Sequence, residues 1–280
     1  MKNKILKIAI VGKTNAGKST LINQIVGEKI SIQNKKVNTT KDLILGVKNL
    51  KETQLLFYDT PGSNFIKPIN NQSKILKTNF WNGINNSDLI LYLIDSNRIN
   101  FNFLNNQLDI LIDTNKKIII VFNKIDLISS KKLLPIIKDI ESKYKIEFFI
   151  SISAKKNKGI NKLLEEIVKY SYKSEWIFKK DEITNKNEEF IINELLRETI
   201  LEYLHKEIPY NVNIEIATFK ILKNKDIKIK QKIIINEIRY KKIILGKKGE
   251  MIKRIREKCQ KKISQIFKSK IHLYLEIIHK

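Results

Sequence analysis

Residues 8–26 have the sequence IAIVGKTNAGKSTLINQIV, and this stretch decides the fold of the first part of the chain. The apolar run Ile8–Val11 is typical of a buried strand, the segment Gly12–Ser19 has the form G-x-x-x-x-G-K-[ST], and a helical pattern follows. A loop in this frame binds phosphate, because its backbone N–H groups and the helix N-terminus point at the same oxygens. The residues expected to cradle the phosphates of a nucleotide are Gly12, Lys13, Thr14, Asn15, Ala16, Gly17, Lys18, Ser19 and Thr20.

A second motif, Asp59-Thr60-Pro61-Gly62, directly follows the apolar run 55–58. A carboxylate at the C-terminal end of a strand can hold Mg²⁺ through a water, and the Ser19 hydroxyl is a second expected Mg²⁺ ligand. The Gly62 N–H is expected to meet the γ-phosphate, and Lys18 to reach the β- and γ-oxygens. We therefore predict a nucleoside triphosphate site in which Lys18 and Gly62 take part in catalysis.

Two further motifs predict which base is bound. Asn123-Lys124-Ile125-Asp126 follows the apolar run 118–122, and Ser153-Ala154-Lys155 follows the run 148–150. In open α/β sheets, ligands bind beyond the C-terminal ends of the strands. The Asp126 carboxylate can accept two hydrogen bonds from the guanine edge, which adenine does not offer, and the Ala154 N–H can meet the guanine O6. The four motifs in this order predict GTP and GDP as ligands and disfavour a P-loop ATPase.

The length and the sparse cysteine and histidine content narrow the class of protein. The 280 residues leave room for two domains, and the single cysteine, Cys259, excludes an internal disulfide and favours a reducing compartment. None of the three histidines has a neighbour at metal-ligand spacing. Apolar runs stay shorter than a membrane span, and the first strand begins by about residue 5, which leaves no room for a signal peptide. We therefore expect a cytoplasmic protein.

The net charge of +25 is unevenly distributed. Residues 1–170 carry 28 basic and 14 acidic side chains, residues 171–219 carry 6 and 10, and residues 220–280 carry 20 and 5. A uniform bias toward lysine would not concentrate the positive charge in the last 61 residues. We therefore expect this region to bind a polyanion such as RNA. A peripheral contact with anionic lipid at the inner face of the cell membrane is a further alternative.

The pattern of apolar runs changes near residue 172. Before it, runs typical of strands alternate with helix-like segments, which predicts an α/β domain with a mostly parallel sheet over residues 1–172. Residues 173–187 are polar and are predicted to form a linker. The pattern over residues 188–280 predicts a smaller α+β domain with the order helix, two strands, two helices and a final strand.

The loop Gly246-Lys247-Lys248-Gly249 lies between the two adjacent helices of this second domain. A G-x-x-G loop in this position is the backbone clamp of KH domains, where glycine lets phosphates approach the chain closely and single-stranded RNA binds. An ordinary helix–helix turn with solvated lysines is the alternative. The residues expected to contact RNA are Ile244, Gly246, Lys247, Lys248, Gly249, Ile252, Lys253 and Arg254.

These features together resemble the bacterial Era family of GTPases over essentially the full chain. The resemblance is carried by the segments Asn15–Leu21, Asp59–Gly62, Asn123–Asp126, Glu207–Tyr210 and Ile244–Lys253. It implies a Ras-like P-loop GTPase domain followed by a type II KH domain, hydrolysis of GTP to GDP and phosphate, and a role in assembly of the small ribosomal subunit. It also implies that the KH domain binds the 3′ end of small-subunit (16S) ribosomal RNA. No protein partner follows from the sequence.

The resemblance assigns two more residues and leaves one role unfilled. Thr40 matches the switch threonine that closes on Mg²⁺ and the γ-phosphate during catalysis, with Thr39 as the neighbouring alternative, and Asn15 matches an asparagine that helps to coordinate K⁺ in related GTPases. Ser63 stands where related GTPases carry an apolar residue, and neither Ser63 nor Asn64 is the glutamine that orients water in Ras-type enzymes. We therefore expect slow hydrolysis unless ribosomal RNA or K⁺ assists. An RNA chaperone with a structural guanine nucleotide is the alternative function.

Overall fold

The computed structural model describes residues 3–27, 44–63, 71–129, 133–180, 182–185, 187–204 and 212–279. The predicted switch threonine Thr40, its neighbour Thr39 and the segment Glu207–Tyr210 lie outside these residues. The chain forms two compact units, Met1–Asn185 and Lys186–Lys280, and the division falls within the segment 173–187 that the sequence predicts as a linker. Within the described residues, no helix combines the length and the apolarity needed to cross a membrane.

The first unit alternates strands and helices, as its apolar runs predict. Its strands are β1 (Lys4–Gly12), β2 (Ile44–Leu50), β3 (Thr53–Asp59), β4 (Leu89–Asp95), β5 (Lys117–Asn123), β6 (Phe148–Ser151) and β7 (Tyr172–Lys173). Its helices are α1 (Lys18–Val26), α2 (Asn71–Asn85), α3 (Phe101–Ile112), α4 (Leu133–Lys143) and α5 (Ile160–Val168).

The strand order β2-β3-β1-β4-β5-β6 brings the sequence motifs to one edge of the sheet. β2 is antiparallel to β3, β7 is antiparallel to the start of β1, and the remaining neighbours are parallel. The register pairs Ile10 with Asp59 and Asp95 with Asn123, so the C-terminal ends of four central strands lie side by side. The α/β fold with a mostly parallel sheet is therefore confirmed.

The chain after β7 runs along the free edge of β2, and we name residues 172–180 and 182–185 the linker strap. The backbone N–H of Val47 donates to the Ile183 carbonyl at 2.8 Å. The N–H of Leu45 donates to the Asn185 side-chain oxygen at 3.1 Å. The polar segment that the sequence predicts as a linker is therefore hydrogen-bonded to the first unit as far as residue 185.

Gln54, on β3, holds the middle of the linker strap. Its side chain is fully buried, and its Oε1 accepts the backbone N–H groups of Ile177 and Phe178 at 3.0 Å each. Its Nε2 donates to the Phe178 carbonyl at 2.9 Å. The Phe178 ring packs against a small cluster formed by Ile5, Leu45, Val47 and Leu56. One buried amide therefore satisfies three backbone groups of the strap.

The second unit has the element order that the sequence predicts. Its elements are α6 (Glu188–Tyr203), β8 (Val212–Ile221), β9 (Ile227–Ile235), α7 (Ile238–Leu245), α8 (Glu250–Phe267) and β10 (Ile271–His279). The sheet order is β10-β9-β8, with β9 antiparallel to β8 and parallel to β10. All three helices share one apolar core with the sheet, centred on fully buried residues such as Leu196, Ile233, Ile255 and Cys259. The smaller α+β domain is therefore confirmed.

Candidate nucleotide site and nucleic-acid interface

The loop between β1 and α1 has a shape that favours glycine at two points. Gly12 has φ +153° and Gly17 has φ +102°, both outside the ordinary range of other residues. A Cβ at Gly12 would lie 2.3 Å from the Leu93 carbonyl oxygen, and a Cβ at Gly17 would lie 2.3 Å from Asn123 Nδ2. The loop therefore lies directly against the ends of β4 and β5.

Lys18, at the start of α1, is folded into this loop. Its Nζ donates to the carbonyl oxygens of Gly12 at 2.9 Å and Lys13 at 3.2 Å. Lys18 is only 7% exposed, and burial lowers the pKa of its ammonium group to about 8, although the nearby Asp59 carboxylate acts in the opposite direction. A buried cation that donates to neutral carbonyls is well suited to exchange them for anionic phosphate oxygens.

Ser19 and Asp59 form an oxygen pair beside Lys18. The Ser19 hydroxyl donates to Asp59 Oδ2 at 2.8 Å, and Asp59 is fully buried. Mg²⁺ prefers oxygen ligands and is commonly bound by one carboxylate together with substrate phosphates. Within the described residues, no cluster of three or more His, Cys, Asp or Glu side chains is suited to a metal ion, so phosphate would have to complete the coordination. Ser19 and Asp59 could therefore hold Mg²⁺ together with phosphate oxygens of a bound nucleotide.

The second motif packs tightly against β1 and the glycine-rich loop. The Thr60 hydroxyl donates to the Ile10 carbonyl at 2.7 Å, and both Thr60 and Pro61 are buried. A Cβ at Gly62 would lie 2.3 Å from Thr14 Oγ1, so the backbone of Gly62 touches the loop. The second motif therefore borders the place where Lys18 and Ser19 meet the phosphates.

Asn123 ties three motifs together from a buried position. Its Nδ2 donates to the Ala16 carbonyl at 2.8 Å, and its Oδ1 accepts the N–H groups of Lys124 at 2.8 Å and Ala154 at 2.9 Å. The sequence analysis expected the Ala154 N–H to face the guanine O6, whereas here it is donated to Asn123. The asparagine therefore fixes the loops whose ends would hold the base.

Lys124 links the phosphate loop to Asp95, a residue that the sequence analysis missed. Its Nζ donates to the Asn15 carbonyl at 2.7 Å and pairs with Asp95 Oδ2 at 2.6 Å. Asp95 ends β4 directly beside Asn123, the end of β5. An acidic residue directly after an apolar run is the same signal that identified Asp59, so the sequence did contain the information.

Asp126 and Ser153 meet at the base-binding end of the site. The Ser153 hydroxyl donates to Asp126 Oδ1 at 2.6 Å, and this hydrogen bond is the main reason why the pKa of the Asp126 carboxyl lies below its ordinary value. Asp126 is exposed. An ionised, accessible carboxylate is the acceptor that the guanine edge requires.

The remaining predicted nucleotide residues differ in accessibility. Lys13, Asn15 and Lys155 are exposed, Thr20 is half-buried, and Ala16 is fully buried. The structure brings every described member of the predicted set to the same edge of the sheet, and Thr40 lies outside the described residues.

The Gly246–Gly249 loop of the second unit joins α7 to α8 through a single 3₁₀ turn. Gly246 has φ +71°, and a Cβ there would lie 2.6 Å from the Met251 Cβ, so the turn favours glycine. Lys247 and Lys248 are exposed at the tip, and Lys248 itself has φ +51°. Two exposed lysines therefore lie at the tip of a turn that ends in a glycine on each side.

The predicted RNA-binding residues around this loop include buried apolar residues and exposed basic residues. Ile244 is fully buried in the core of the second unit and Ile252 is half-buried, so both hold the loop from beneath. Lys253 and Arg254 are exposed on α8. Ile243, which the sequence analysis did not single out, is 47% exposed beside the loop. Its position next to Ile244 on a helix puts the two side chains on different faces, which hydropathy alone does not reveal.

Two family models match the chain. One, described as 50S ribosome-binding GTPase, matches residues 7–124, and one described as KH domain matches residues 207–280. The GTPase Era of Rickettsia conorii is 37% identical over 272 residues, which cover 97% of this chain and 79% of that protein. The GTPase Era of Agrobacterium fabrum is 34% identical over 268 residues, 96% of this chain and 84% of that protein.

Two solved structures of Era proteins are similar over both units. An Era protein in complex with MgGDPNP and nucleotides 1506–1542 of 16S ribosomal RNA has a TM-score of 0.89 at 31% identity, covering 99% of this chain and 94% of its own. A variant of Aquifex aeolicus Era bound to GDP·AlF4⁻ has a TM-score of 0.90 at the same 31% identity and coverage. Relatives of this similarity span nearly the whole chain, and the chain therefore belongs to the Era family of GTPases.

Proposed function

We propose that this chain is a GTP-hydrolysing switch that binds the 3′ end of small-subunit ribosomal RNA and acts in assembly of the small ribosomal subunit. The observation that carries the nucleotide half is the buried Asn123, whose side chain links the phosphate loop to both base-binding motifs. The observation that carries the RNA half is the pair of exposed lysines at the Gly246–Gly249 turn.

Each predicted site residue takes a role on this proposal. Lys18 would exchange the Gly12 and Lys13 carbonyls for phosphate oxygens, and Ser19 and Asp59 would hold Mg²⁺. Gly62 and Thr40 would close on the γ-phosphate. Bound Mg²⁺ would supply positive charge that stabilises the phosphates during hydrolysis. Asn15, at the exposed tip of the loop, is the proposed K⁺ ligand, and this assignment rests on the family resemblance.

The proposed RNA ligand has support from charge and from a relative. An Era protein binds nucleotides 1506–1542 of 16S ribosomal RNA together with MgGDPNP. In this chain, residues 220–280 carry 20 basic and 5 acidic side chains. Such a charge excess also attracts anionic lipid, but a lipid surface does not require a G-x-x-G turn between two helices. We therefore favour RNA over lipid as the ligand of the second unit.

The linker strap supports a switch. β2 follows the segment that contains Thr40, and β3 leads directly into Asp59–Gly62. The strap is hydrogen-bonded to both strands, through Leu45 and Val47 on β2 and Gln54 on β3. A shift of these strands when the γ-phosphate is bound or lost would reach the chain that enters the second unit.

Replacing Lys247 and Lys248 by Asp tests the RNA assignment. Both side chains are exposed, and Asp tolerates the left-handed backbone of Lys248, so the second unit should stay folded. We expect binding of a labelled RNA from the small-subunit 3′ end to be lost at moderate salt. The salt dependence of the residual affinity should also be shallower, because fewer counterions are released. Titrations at several salt concentrations measure both quantities.

A charge-matched control separates the clamp from general electrostatics. Lys138→Asp with Lys145→Asp makes the same charge change at exposed positions of the first unit. We expect this control to keep most of the affinity. Equal affinity and salt dependence in the parent and in the Lys247→Asp/Lys248→Asp variant would instead place the RNA site elsewhere and reduce the loop to an ordinary turn.

A further inference from the structure

Two residues at the contact between Gly62 and the phosphate loop, Thr14 and Ser63, carry hydroxyl groups. Thr14 Oγ1 and Ser63 Oγ are both buried, and neither has a hydrogen-bond partner among the described residues. Ser63 is 1% exposed. Leaving a buried hydroxyl unpaired is unfavourable, so two of them at one junction need a physical explanation.

The junction is close-packed and lies beside the expected phosphate site. A Cβ on Gly62 would lie 2.3 Å from Thr14 Oγ1 and 3.0 Å from the Thr14 nitrogen, so Thr14 touches the residue expected to meet the γ-phosphate. Ser63 is the next residue along the chain. Thr14 therefore touches, and Ser63 directly follows, the residue expected to meet the γ-phosphate.

Hydrolysis needs a group that orients water, and the residues directly after Gly62 are Ser63 and Asn64, neither of which is glutamine. In an in-line reaction the water oxygen attacks the γ-phosphorus on the side opposite the β–γ bridging oxygen. We expect that side to face the second motif, because Gly62 is the residue expected to meet the γ-phosphate. A hydroxyl can accept a hydrogen bond from a water O–H and can also donate a hydrogen bond to the water oxygen, so Ser and Thr can hold a water that lacks other partners.

We propose that the Thr14 and Ser63 hydroxyls hold the attacking water in the GTP-bound protein, in place of the missing glutamine. A bond forms between the water oxygen and the γ-phosphorus, and the bond from that phosphorus to the β–γ bridging oxygen breaks. GDP leaves with the bridging oxygen, and the water proton passes to an oxygen of the released phosphate. This inference rests on the proposed nucleotide site and adds the residues that position its nucleophile.

Single-turnover hydrolysis of bound GTP tests the proposal. Thr14→Val and Ser63→Ala each remove one hydroxyl, and each should slow hydrolysis roughly tenfold, the equivalent of one hydrogen bond in the transition state. Thr14→Ser keeps the hydroxyl and should keep the rate within about twofold of the parent. Because both hydroxyls hold one water, the double variant should lose less than the product of the two single losses. The affinity for GTP should change less than the rate, because the loop is expected to bind phosphate through backbone N–H groups that these substitutions keep.

Two further readouts separate this role from a structural one. Removing an unpaired buried hydroxyl should leave the nucleotide-free protein equally or more stable, so thermal unfolding of Thr14→Val and Ser63→Ala should not shift downward. Ser96→Ala is the matched control, because Ser96 Oγ is also buried without a partner among the described residues but lies at the end of β4. We expect parental hydrolysis from this control.

Two outcomes would overturn the inference. A double variant that hydrolyses GTP as fast as the parent would show that the hydroxyls do not hold the water. A loss of GTP affinity with an unchanged rate of hydrolysis of bound GTP would show that they bind the nucleotide in the ground state. Failure of the parent protein to bind GTP would be a different result, because it would remove the proposed nucleotide site itself.

Discussion

Lys18 is the residue whose chemistry depends most on whether phosphate is present. Its ammonium group is buried against two carbonyl oxygens, and this burial lowers its pKa to about 8. Anionic phosphate oxygens would stabilise the charged form and return the pKa toward its ordinary value. Nucleotide binding above neutral pH must therefore be accompanied by proton uptake at Lys18.

Calorimetric titration of the nucleotide-free protein with GDP and Mg²⁺ measures this proton. Since burial lowers the pKa of Lys18 to about 8, a larger fraction of this side chain is neutral at pH 8 than at pH 7, and we expect a larger proton uptake per GDP at pH 8. The uptake is the slope of the binding enthalpy against the ionisation enthalpy of the buffer. Lys18→Arg, which stays charged at both pH values, should show no difference between them. Equal uptake by the parent at pH 7 and pH 8 would contradict a buried, depressed lysine.

The site residues that the sequence predicts are those that follow strand ends in the order of the motifs. This reasoning predicts that Asp59, Asn123 and Ser153 lie close together, because parallel strands place their C-terminal ends side by side. The hydrogen bond from the Ala154 N–H to the Asn123 side chain could not be predicted in this way, because it depends on the distance between two loops. The buried state of Ile244 and the exposure of Ile243 likewise depend on how α7 packs against its core.

At the scale of elements, the linker strap is the feature that the sequence describes least well. Its polar composition predicts a linker, and hydropathy carries no information on hydrogen bonds between backbone groups. The strap is held by such bonds to the edge strand β2 and by the buried amide of Gln54. The helices and strands around it were predictable, because their apolar periodicity reflects burial in the two cores.

Gln54→Met tests how the strap is held. The substitution leaves the N–H groups of Ile177 and Phe178 and the Phe178 carbonyl without their partner. Loss of these bonds should lower the stability of the first unit by about 3 kcal/mol. Hydrogen exchange, read by mass spectrometry, should speed up over residues 176–184 more than in the central strands.

Gln107→Met is the matched control for this change. Gln107 is also a buried glutamine of the first unit, but its Oε1 has no hydrogen-bond partner among the described residues. We expect the control to cost less than about 1 kcal/mol and to leave exchange of the strap unchanged. Parental exchange over residues 176–184 in Gln54→Met would show that Gln54 does not anchor the strap.

At the scale of the whole molecule, the proposed nucleotide site and the proposed RNA interface lie on separate compact units. The division was predictable, because the apolar pattern and the charge both change along the sequence: residues 171–219 carry 6 basic and 10 acidic side chains, and residues 220–280 carry 20 and 5. A switch additionally requires that RNA binding changes the rate at which GTP is hydrolysed. The sequence alone left a chaperone with a structural nucleotide as the alternative.

Single-turnover hydrolysis of bound GTP, with and without RNA from the small-subunit 3′ end, tests the switch most directly. We expect RNA to accelerate hydrolysis by the parent by roughly tenfold or more. The Lys247→Asp/Lys248→Asp variant should hydrolyse GTP at the parental basal rate and show no acceleration. If the parent binds the RNA while its GTP is hydrolysed no faster than without RNA, the nucleotide is not switched by RNA, and the account of a GTP-hydrolysing switch is contradicted.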